Sequence, residues 1–159
     1  MIADEIYREV ILDHHKHPRG VAPLDAYNAS SSGMNPSCGD EVEIRLRIEG
    51  DTVRDVQVAS RGCAVSTAAG SMLAEQVKGR DVNTLRALAA DLREMLKTGE
   101  LPASEHLGDF EALAGVSRFP VRVKCAMLPI AAMAQALEAY ASSGKAEATG
   151  VSTEEATQT

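Results

Sequence analysis

Hydrophobic and polar residues alternate most clearly over residues 41–48, where every second side chain is Val, Ile or Leu. A period of two predicts a β-strand with one buried and one solvated face. Residues 53–60 carry Val56 and Val58 at the same spacing and predict the antiparallel partner strand. Small polar residues over 27–34 predict a further, weaker edge strand.

The register of this hairpin follows from matching its two apolar faces. With a three-residue loop over Gly50–Thr52, Leu46 lies opposite Val56 and Ile44 lies opposite Val58. A two-residue loop would shift the pairing by one residue and set Leu46 against an acidic side chain. The three-residue loop is therefore favoured.

Three candidate metal-ligating residues are predicted to lie at the open end of the hairpin. Continuing the favoured ladder places Asp40 opposite Gly62 and Cys38 opposite Ala64, so Cys38, Asp40 and Cys63 meet at one end of the sheet. Cys38 and Asp40 are two residues apart, and side chains at i and i+2 of an extended segment point to the same side.

Apolar residues recur at helical spacing in much of the remaining chain. The predicted helices cover residues 3–16, 65–78, 82–97, 109–115 and 121–142. Strands followed by helices predict the α+β class, with a small antiparallel β-sheet of about three strands covered by helices in one domain over 1–141. Residues 142–159 have almost nothing to bury and are expected to form a disordered C-terminal tail.

The amino-acid composition and net charge exclude some classes of partner. The chain has 159 residues, 45% hydrophobic and only 3% aromatic, which predicts a globular domain with an aliphatic core. A formal net charge of -7 argues against nucleic acid as the main partner, because phosphate binding needs clustered Lys and Arg. No stretch approaches the roughly 20 apolar residues of a membrane span, and the acidic start is unlike a secretory signal. These features predict a cytoplasmic protein.

Cys125, near the start of the last predicted helix, is the third and final cysteine. With Cys38, Asp40 and Cys63 it supplies three thiolates and a carboxylate, which suffice for a tetrahedral zinc site and can also hold iron or an iron–sulfur cluster, or carry sulfur. A lone cysteine is usually a small buried hydrophobic residue. The loop and helix-start contexts favour a shared site instead, and helix N-termini near Cys63 and Cys125 favour thiolates.

The charge of such a site predicts nearby cations. Three thiolates, one carboxylate and Zn²⁺ sum to about -2. Arg122 and Lys124 flank Cys125, and Arg61 precedes Cys63 closely in the sequence. We expect Arg122 and Lys124 to give charge support to the site, although at least one of these cations could be an ordinary surface charge.

Three histidines, His14, His15 and His17, lie at the end of the first predicted helix. They lack an established metal-ligand spacing, and the negative end of the helix dipole favours cationic residues at this position. Their role stays open at the level of sequence.

Together these residues resemble the U-type iron–sulfur cluster assembly proteins, the family of IscU and of the N-terminal part of NifU. The resemblance runs from Ile6 to about Tyr140 and is carried by the segments 13–19, 35–40, 62–66 and 122–125. Lys124 stands where the general scaffold branch has His, and the interval between Cys63 and Cys125 is longer. Both features are similar to the SUF-system branch, SufU. The chaperone-recognition segment of the scaffold branch is not matched by residues 118–122.

The resemblance implies an IscU/NifU-N-like fold, Cys38 as sulfur acceptor, and a zinc site. The implied zinc ligands are Cys38, Asp40, Cys63 and Cys125. It also implies a partner, a pyridoxal-phosphate (PLP) cysteine desulfurase of the SufS type, and downstream iron–sulfur assembly proteins. The expected function is zinc-dependent sulfur transfer with chemical turnover mainly in the partner. Two alternatives stay open: a scaffold for a 2Fe–2S cluster, and a structural zinc site in an interaction module.

Overall fold

The computed structural model describes residues 2–103, 107–143 and 146–152. Each predicted helix and strand is present within about three residues of its predicted bounds. In chain order the elements are α1 (Ile2–Lys16), β1 (Ala29–Asn35), β2 (Asp40–Glu49), β3 (Thr52–Arg61), α2 (Ala64–Val77), α3 (Val82–Thr98), a 3-10 segment (Gly108–Arg118), α4 (Pro120–Ser143) and β4 (Ala146–Ser152).

The sheet has the strand order β3-β2-β1-β4, in which β1, β2 and β3 are antiparallel neighbours. Alternate residues of β2 are buried, as its sequence pattern predicts. Helix α4 packs against β1 and β2, and α2 packs against β3. The predicted α+β class, a three-stranded antiparallel sheet covered by helices, is confirmed. Among the described residues, Phe110 is the one aromatic side chain in the buried hydrophobic core, and the others are aliphatic or contain sulfur.

The predicted pairing of the β2–β3 hairpin is confirmed along most of its length. Ile44 lies opposite Val58 and Leu46 lies opposite Val56. All four side chains are buried on the helix-facing side of the sheet. Because a one-residue slip would turn this apolar set towards solvent, burial holds the register.

The predicted three-residue loop is wrong. Glu49 pairs with Thr52, so the loop has two residues, and the ladder shifts register between Arg47 and Ile48. The shift leaves Arg54 as an extra residue, a β-bulge, and places Val53 opposite Ile48. The bulge occurs because Val53 is fully buried in this arrangement, whereas the three-residue loop leaves it without an apolar match.

The end of the chain differs from the predicted disordered tail of residues 142–159. Helix α4 extends to Ser143, and Ala146–Ser152 forms strand β4, which pairs with β1 in parallel. A β1 strand without this neighbour would expose a row of unpaired backbone groups, which β4 satisfies. Residues 144–145 and 153–159 lie outside the described part of the chain.

The His14 side chain connects three helical elements, which are α1, α2 and the 3-10 segment. Its ring is fully buried, with Nδ1 2.7 Å from Ser71 Oγ on α2 and Nε2 2.7 Å from Asp109 Oδ2 on the 3-10 segment. Ser71 Oγ also accepts a hydrogen bond from the backbone N–H of Arg19. The helix-end position of His14 therefore serves packing between elements, while His15 and His17 are exposed.

We expect His14→Ala to lower the free energy of unfolding by about 2–4 kcal/mol, because it removes a buried ring and its two hydrogen bonds. Chemical denaturation followed by circular dichroism measures this change. His15→Ala, on the same helical turn, is the matched control and should change the value by less than about 0.5 kcal/mol. Equal effects of the two substitutions would contradict the role assigned to His14.

Candidate metal centre

The metal-binding residues predicted from the sequence converge at the open end of the β2–β3 hairpin. Asp40 is the first residue of β2 and is fully buried. Gly62, just beyond β3, has a φ of +144° and lies against Asp40. A Cβ atom added at Gly62 would stand 2.0 Å from Asp40 Oδ1 and 2.8 Å from Asp40 Cα. Glycine is therefore required at position 62 to seat the carboxylate.

Cys63 is held against this carboxylate from two directions. Its backbone N–H donates to Asp40 Oδ1 at 2.7 Å, and its Sγ lies 3.5 Å from Asp40 Oδ2. Cys63 is also the N-cap of α2, where the backbone N–H of Ser66 donates to Sγ at 3.4 Å. An N-cap side chain faces the free N–H groups of the first helical turn, so the sulfur is directed by the start of the helix.

Cys38 and Cys125 complete the cluster from a loop and a helix. Cys125 Sγ on α4 lies 3.6 Å from Cys38 Sγ. Cys125 is fully buried, Cys63 is half-buried and Cys38 is exposed. The loop that carries Cys38 is a tight turn in which the backbone N–H groups of Cys38 and Gly39 both donate to Asn35 O, at 3.2 Å and 2.9 Å. Cys38 is thus the sulfur that an approaching molecule can reach.

Three of the four candidate donors lie close enough to share one ion. The donor atoms of Cys38, Asp40 and Cys125 lie within 4.8 Å of one another, and Cys63 Sγ, which lies outside this group, contacts Asp40 Oδ2 at 3.5 Å. Two sulfur ligands of one zinc ion, each about 2.3 Å from it, are about 3.8 Å apart, and a sulfur and an oxygen ligand about 3.5 Å apart. The contacts of 3.6 Å and 3.5 Å fit these separations. The residues therefore suit a zinc-sized ion.

Burial controls the ionisation of Cys125 in the metal-free fold. Burial raises the pKa of the Cys125 thiol well above its ordinary value, and hydrogen bonds with Asp40, Cys63 and Cys38 raise that pKa further. The prediction that a helix N-terminus favours a Cys125 thiolate is therefore wrong for the metal-free protein. Desolvation of the charged form outweighs the favourable effect of the helix dipole on this thiol.

The predicted cations lie on the segments that border the site. Arg122 and Lys124 precede Cys125 on the first turns of α4, with Arg122 exposed and Lys124 half-buried. Arg61 is the last residue of β3 and is exposed. Two residues that the sequence analysis left without a role, Gly62 and Asn35, also contact the donor set. The sequence signal for them is that they begin two of the segments that carry the family resemblance, 35–40 and 62–66.

A second group of possible metal ligands is His14, Glu75 and Asp109, whose donor atoms lie within 4.8 Å of one another. These side chains already pair with one another or with the guanidinium group of an arginine. His14 binds Asp109, and Arg19 Nε lies 3.3 Å from Glu75 Oε2. A guanidinium in this position opposes a metal ion, so the group is a structural ion-pair network.

The sequence matches the NifU-like N terminal domain over residues 6–147. The chain belongs to this family. Its matched region includes the hairpin, the helices and every candidate ligand. The family relationship agrees with the resemblance inferred from the four sequence segments, and with the confirmed α+β fold.

Similar proteins of the NifU-like family include two curated bacterial ones. The chain is 39% identical over 125 residues to the zinc-dependent sulfurtransferase SufU of Bacillus subtilis strain 168, covering 79% of this chain and 84% of the relative. It is 36% identical over 135 residues to the iron–sulfur cluster assembly scaffold protein IscU of Streptococcus pyogenes serotype M1, covering 85% and 84%. The chain is thus a SufU/IscU-type protein of iron–sulfur cluster assembly.

Solved structures show the same fold. FiSufU from Fervidobacterium islandicum AW-1 superposes with a TM-score of 0.75 at 31% identity, over 84% of this chain and 97% of that one. The N-terminal part of a NifU-like protein from Brucella abortus superposes with a TM-score of 0.78 at 23% identity, over 87% and 96%. Within the described ranges, no helix is both long enough and apolar enough to cross a bilayer.

Proposed function

We propose that this protein is a zinc-dependent sulfur acceptor, which takes persulfide sulfur from a PLP-dependent cysteine desulfurase of the SufS type onto Cys38. The observation that carries the proposal is the unequal exposure of the cluster. Cys38 is the most exposed of the three cysteines and lies on a tight turn, while Cys63 is half-buried and Cys125 and Asp40 are buried. A purely structural zinc site gains nothing from an exposed ligand.

The donor set supports zinc as the resident metal. Three thiolates and a carboxylate, from Cys38, Cys63, Cys125 and Asp40, form a closed four-coordinate set of the kind that zinc favours. Such a site carries a charge of about -2 with the ion bound. Arg122 and Lys124 are proposed to offset this charge. The zinc-dependent relative of 39% identity agrees with this assignment.

In the proposed reaction Cys38 is the nucleophile. Zinc, when bound, keeps the cysteine sulfurs deprotonated and ordered. The Cys38 thiolate attacks the outer sulfur of the persulfide on the desulfurase, forming a new S–S bond as the bond to the desulfurase cysteine breaks. The desulfurase cysteine leaves as a thiolate, and Cys38 becomes a persulfide. Gly39, at φ +72° with nothing within 4 Å of an added Cβ, gives the Cys38 turn room to move.

The charges near Cys125 favour binding to an acidic surface on the desulfurase. Between Glu111 and Glu138 the sequence holds three basic residues, Arg118, Arg122 and Lys124, and no acidic residue, although the whole chain has a net charge of -7. Phe119 and Val121 are exposed in the same segment, at 56% and 60%. An apolar centre with a basic rim suits a protein interface. The sulfur is then passed to downstream iron–sulfur assembly proteins, in the cytoplasm.

A cluster scaffold is the second candidate, because relatives named as scaffold proteins match the chain at 36% identity and thiolates also hold 2Fe–2S clusters. Under that function Cys38 is a cluster ligand rather than a sulfur acceptor. The two functions predict different purified proteins.

Aerobic purification and a desulfurase assay together test the proposal. We expect a colourless protein with about one zinc ion per chain. Added to a SufS-type desulfurase with cysteine and a reductant, it should raise sulfide production several-fold. In a parallel reaction without the reductant, which would cleave a persulfide, mass spectrometry should find one extra sulfur on Cys38. A brown protein that retains a cluster after reconstitution would favour the scaffold. A zinc-loaded protein that leaves the desulfurase rate unchanged would contradict sulfur acceptance.

A further inference from the structure

Strand β1 carries two buried polar side chains on its helix-facing side, Ser31 and Asn35. Ser31 Oγ and Asn35 Oδ1 both lack a hydrogen-bond partner among the described residues. Buried polar atoms are nearly always paired, because leaving one unpaired destabilises the fold. Stability of the metal-free fold therefore does not explain an asparagine at position 35.

Asn35 contacts two of the candidate ligands at once. Its side-chain Nδ2 points to Cys125 Sγ across 4.0 Å, and its backbone carbonyl accepts the N–H groups of Cys38 and Gly39. The main chain of Asn35 therefore shapes the turn of the exposed sulfur, while its side chain reaches the buried one. A substitution at position 35 changes the contact with Cys125 and leaves the backbone bonds of the turn available.

The contact with Cys125 is of a kind that strengthens when the metal binds. A thiol sulfur is a weak hydrogen-bond acceptor. A thiolate accepts a shorter, charge-assisted bond. The amide already presents its N–H side to the sulfur, whereas the opposite orientation would aim a carbonyl at a negative charge.

The four candidate donors differ in their exposure and in the N–H groups that contact them. Asp40 accepts from the N–H of Cys63, Cys63 Sγ accepts from the N–H of Ser66, and Cys125 Sγ faces Asn35. Cys38 Sγ contacts the Cys125 sulfur, and Cys38 is the most exposed of the three cysteines. Asp40, Cys63 and Cys125 are thus each contacted by an N–H group of another residue in the buried part of the site, and Cys38 lies on the exposed turn.

We propose that Asn35 is a positioning residue that keeps Cys125 in the metal site while Cys38 is released for sulfur transfer. This inference rests on the proposed function, and adds which ligand stays and why. Hydrogen bonds from neighbouring groups orient metal ligands, and their loss typically weakens metal affinity by about 10–100-fold. Asn35 supplies such a bond across the space between β1 and α4.

Zinc release from wild type, Asn35→Ala and Ser31→Ala to a chromophoric chelator tests this role. Release from N35A is expected to be at least about 10-fold faster than from wild type. S31A, which alters the other unpaired polar side chain of the same strand face, should release zinc within about twofold of wild type, because Ser31 Oγ makes no hydrogen bond to a candidate ligand among the described residues. An N35A rate within twofold of wild type would overturn the role of Asn35.

A second variant and a second readout protect the test against misfolding. Asn35→Asp keeps the side-chain shape and removes the N–H, so if N35A does not fold, N35D is judged by the same criterion. Alkylation of the zinc-loaded proteins, mapped by mass spectrometry, should label Cys38 first and Cys125 last in wild type. In N35A or N35D, Cys125 should become labelled nearly as fast as Cys38, and an unchanged order would overturn the inference.

The failure of this inference can be told apart from failure of the proposed function. Wild-type protein that retains no zinc would overturn both. Zinc-loaded wild type whose release and labelling order match those of the folded Asn35 variants would overturn the role of Asn35 alone.

Discussion

The Cys38→Ala variant should lose sulfur acceptance by more than about 100-fold, because no other exposed thiol lies in the cluster to replace the nucleophile. The fold should survive, since Cys38 is an exposed residue on a loop and is not part of the hydrophobic core. We expect the free energy of unfolding of the metal-free form to change by less than about 0.5 kcal/mol. Sulfide production with the desulfurase and persulfide mapping measure the loss.

Ser37→Ala is the matched control for this variant. Ser37 is an exposed neighbour on the same loop and has no sulfur. Its replacement leaves the Cys38 thiol in place, so transfer should stay within about twofold of wild type. Undiminished stimulation of the desulfurase by C38A would rule out Cys38 as the acceptor and leave the structural zinc module as the better explanation.

The Gly62→Ala variant should lose metal binding by more than about 100-fold, because its Cβ and the Asp40 carboxylate would compete for the same space. Rotation of the Asp40 side chain does not relieve the conflict, since the new Cβ would also stand 2.8 Å from Asp40 Cα. The strand end must move and take both Asp40 and Cys63 out of place. Competition titration of zinc against a chelator of known affinity measures the change.

Gly50→Ala provides a control at another glycine of positive φ, one that lies away from the candidate ligands. Gly50 has a φ of +61° in the loop at the far end of the hairpin, with nothing within 4 Å of an added Cβ. Alanine there should cost about 1 kcal/mol of stability and leave zinc affinity unchanged. If G62A and G50A bound zinc equally well, the close approach of Gly62 to Asp40 would not be a requirement of the site.

Local patterns predicted much of the fold because they depend on residues close in the chain. The alternation in β2 predicted both the strand and the pairing of Ile44 with Val58, since one buried face allows a single register. The bulge at Arg54 escaped the same reasoning. A prediction that assumes an unbroken ladder does not include an extra residue. The bulge at Arg54 is favoured because it allows the Val53 side chain to be buried.

Strand β4 shows another limit of local reasoning. Residues 142–159 have a composition with little to bury, which predicts disorder when the segment is considered alone. The edge of β1 provides the backbone partners that Ala146–Ser152 uses. Hydrogen bonding to a strand more than 100 residues away in sequence depends little on the side chains of the tail, so composition is a poor guide to it.

The sequence by itself determined the family, the α+β class and the kinds of donor atom available, since residue types and short spacings carry that information. Only the tertiary structure decided how the donors differ. Burial raises the pKa of Cys125, exposure singles out Cys38, and Asn35 meets a sulfur 90 positions away. These properties depend on desolvation and on contacts between distant segments, and neither is encoded in the spacing of residues along the chain.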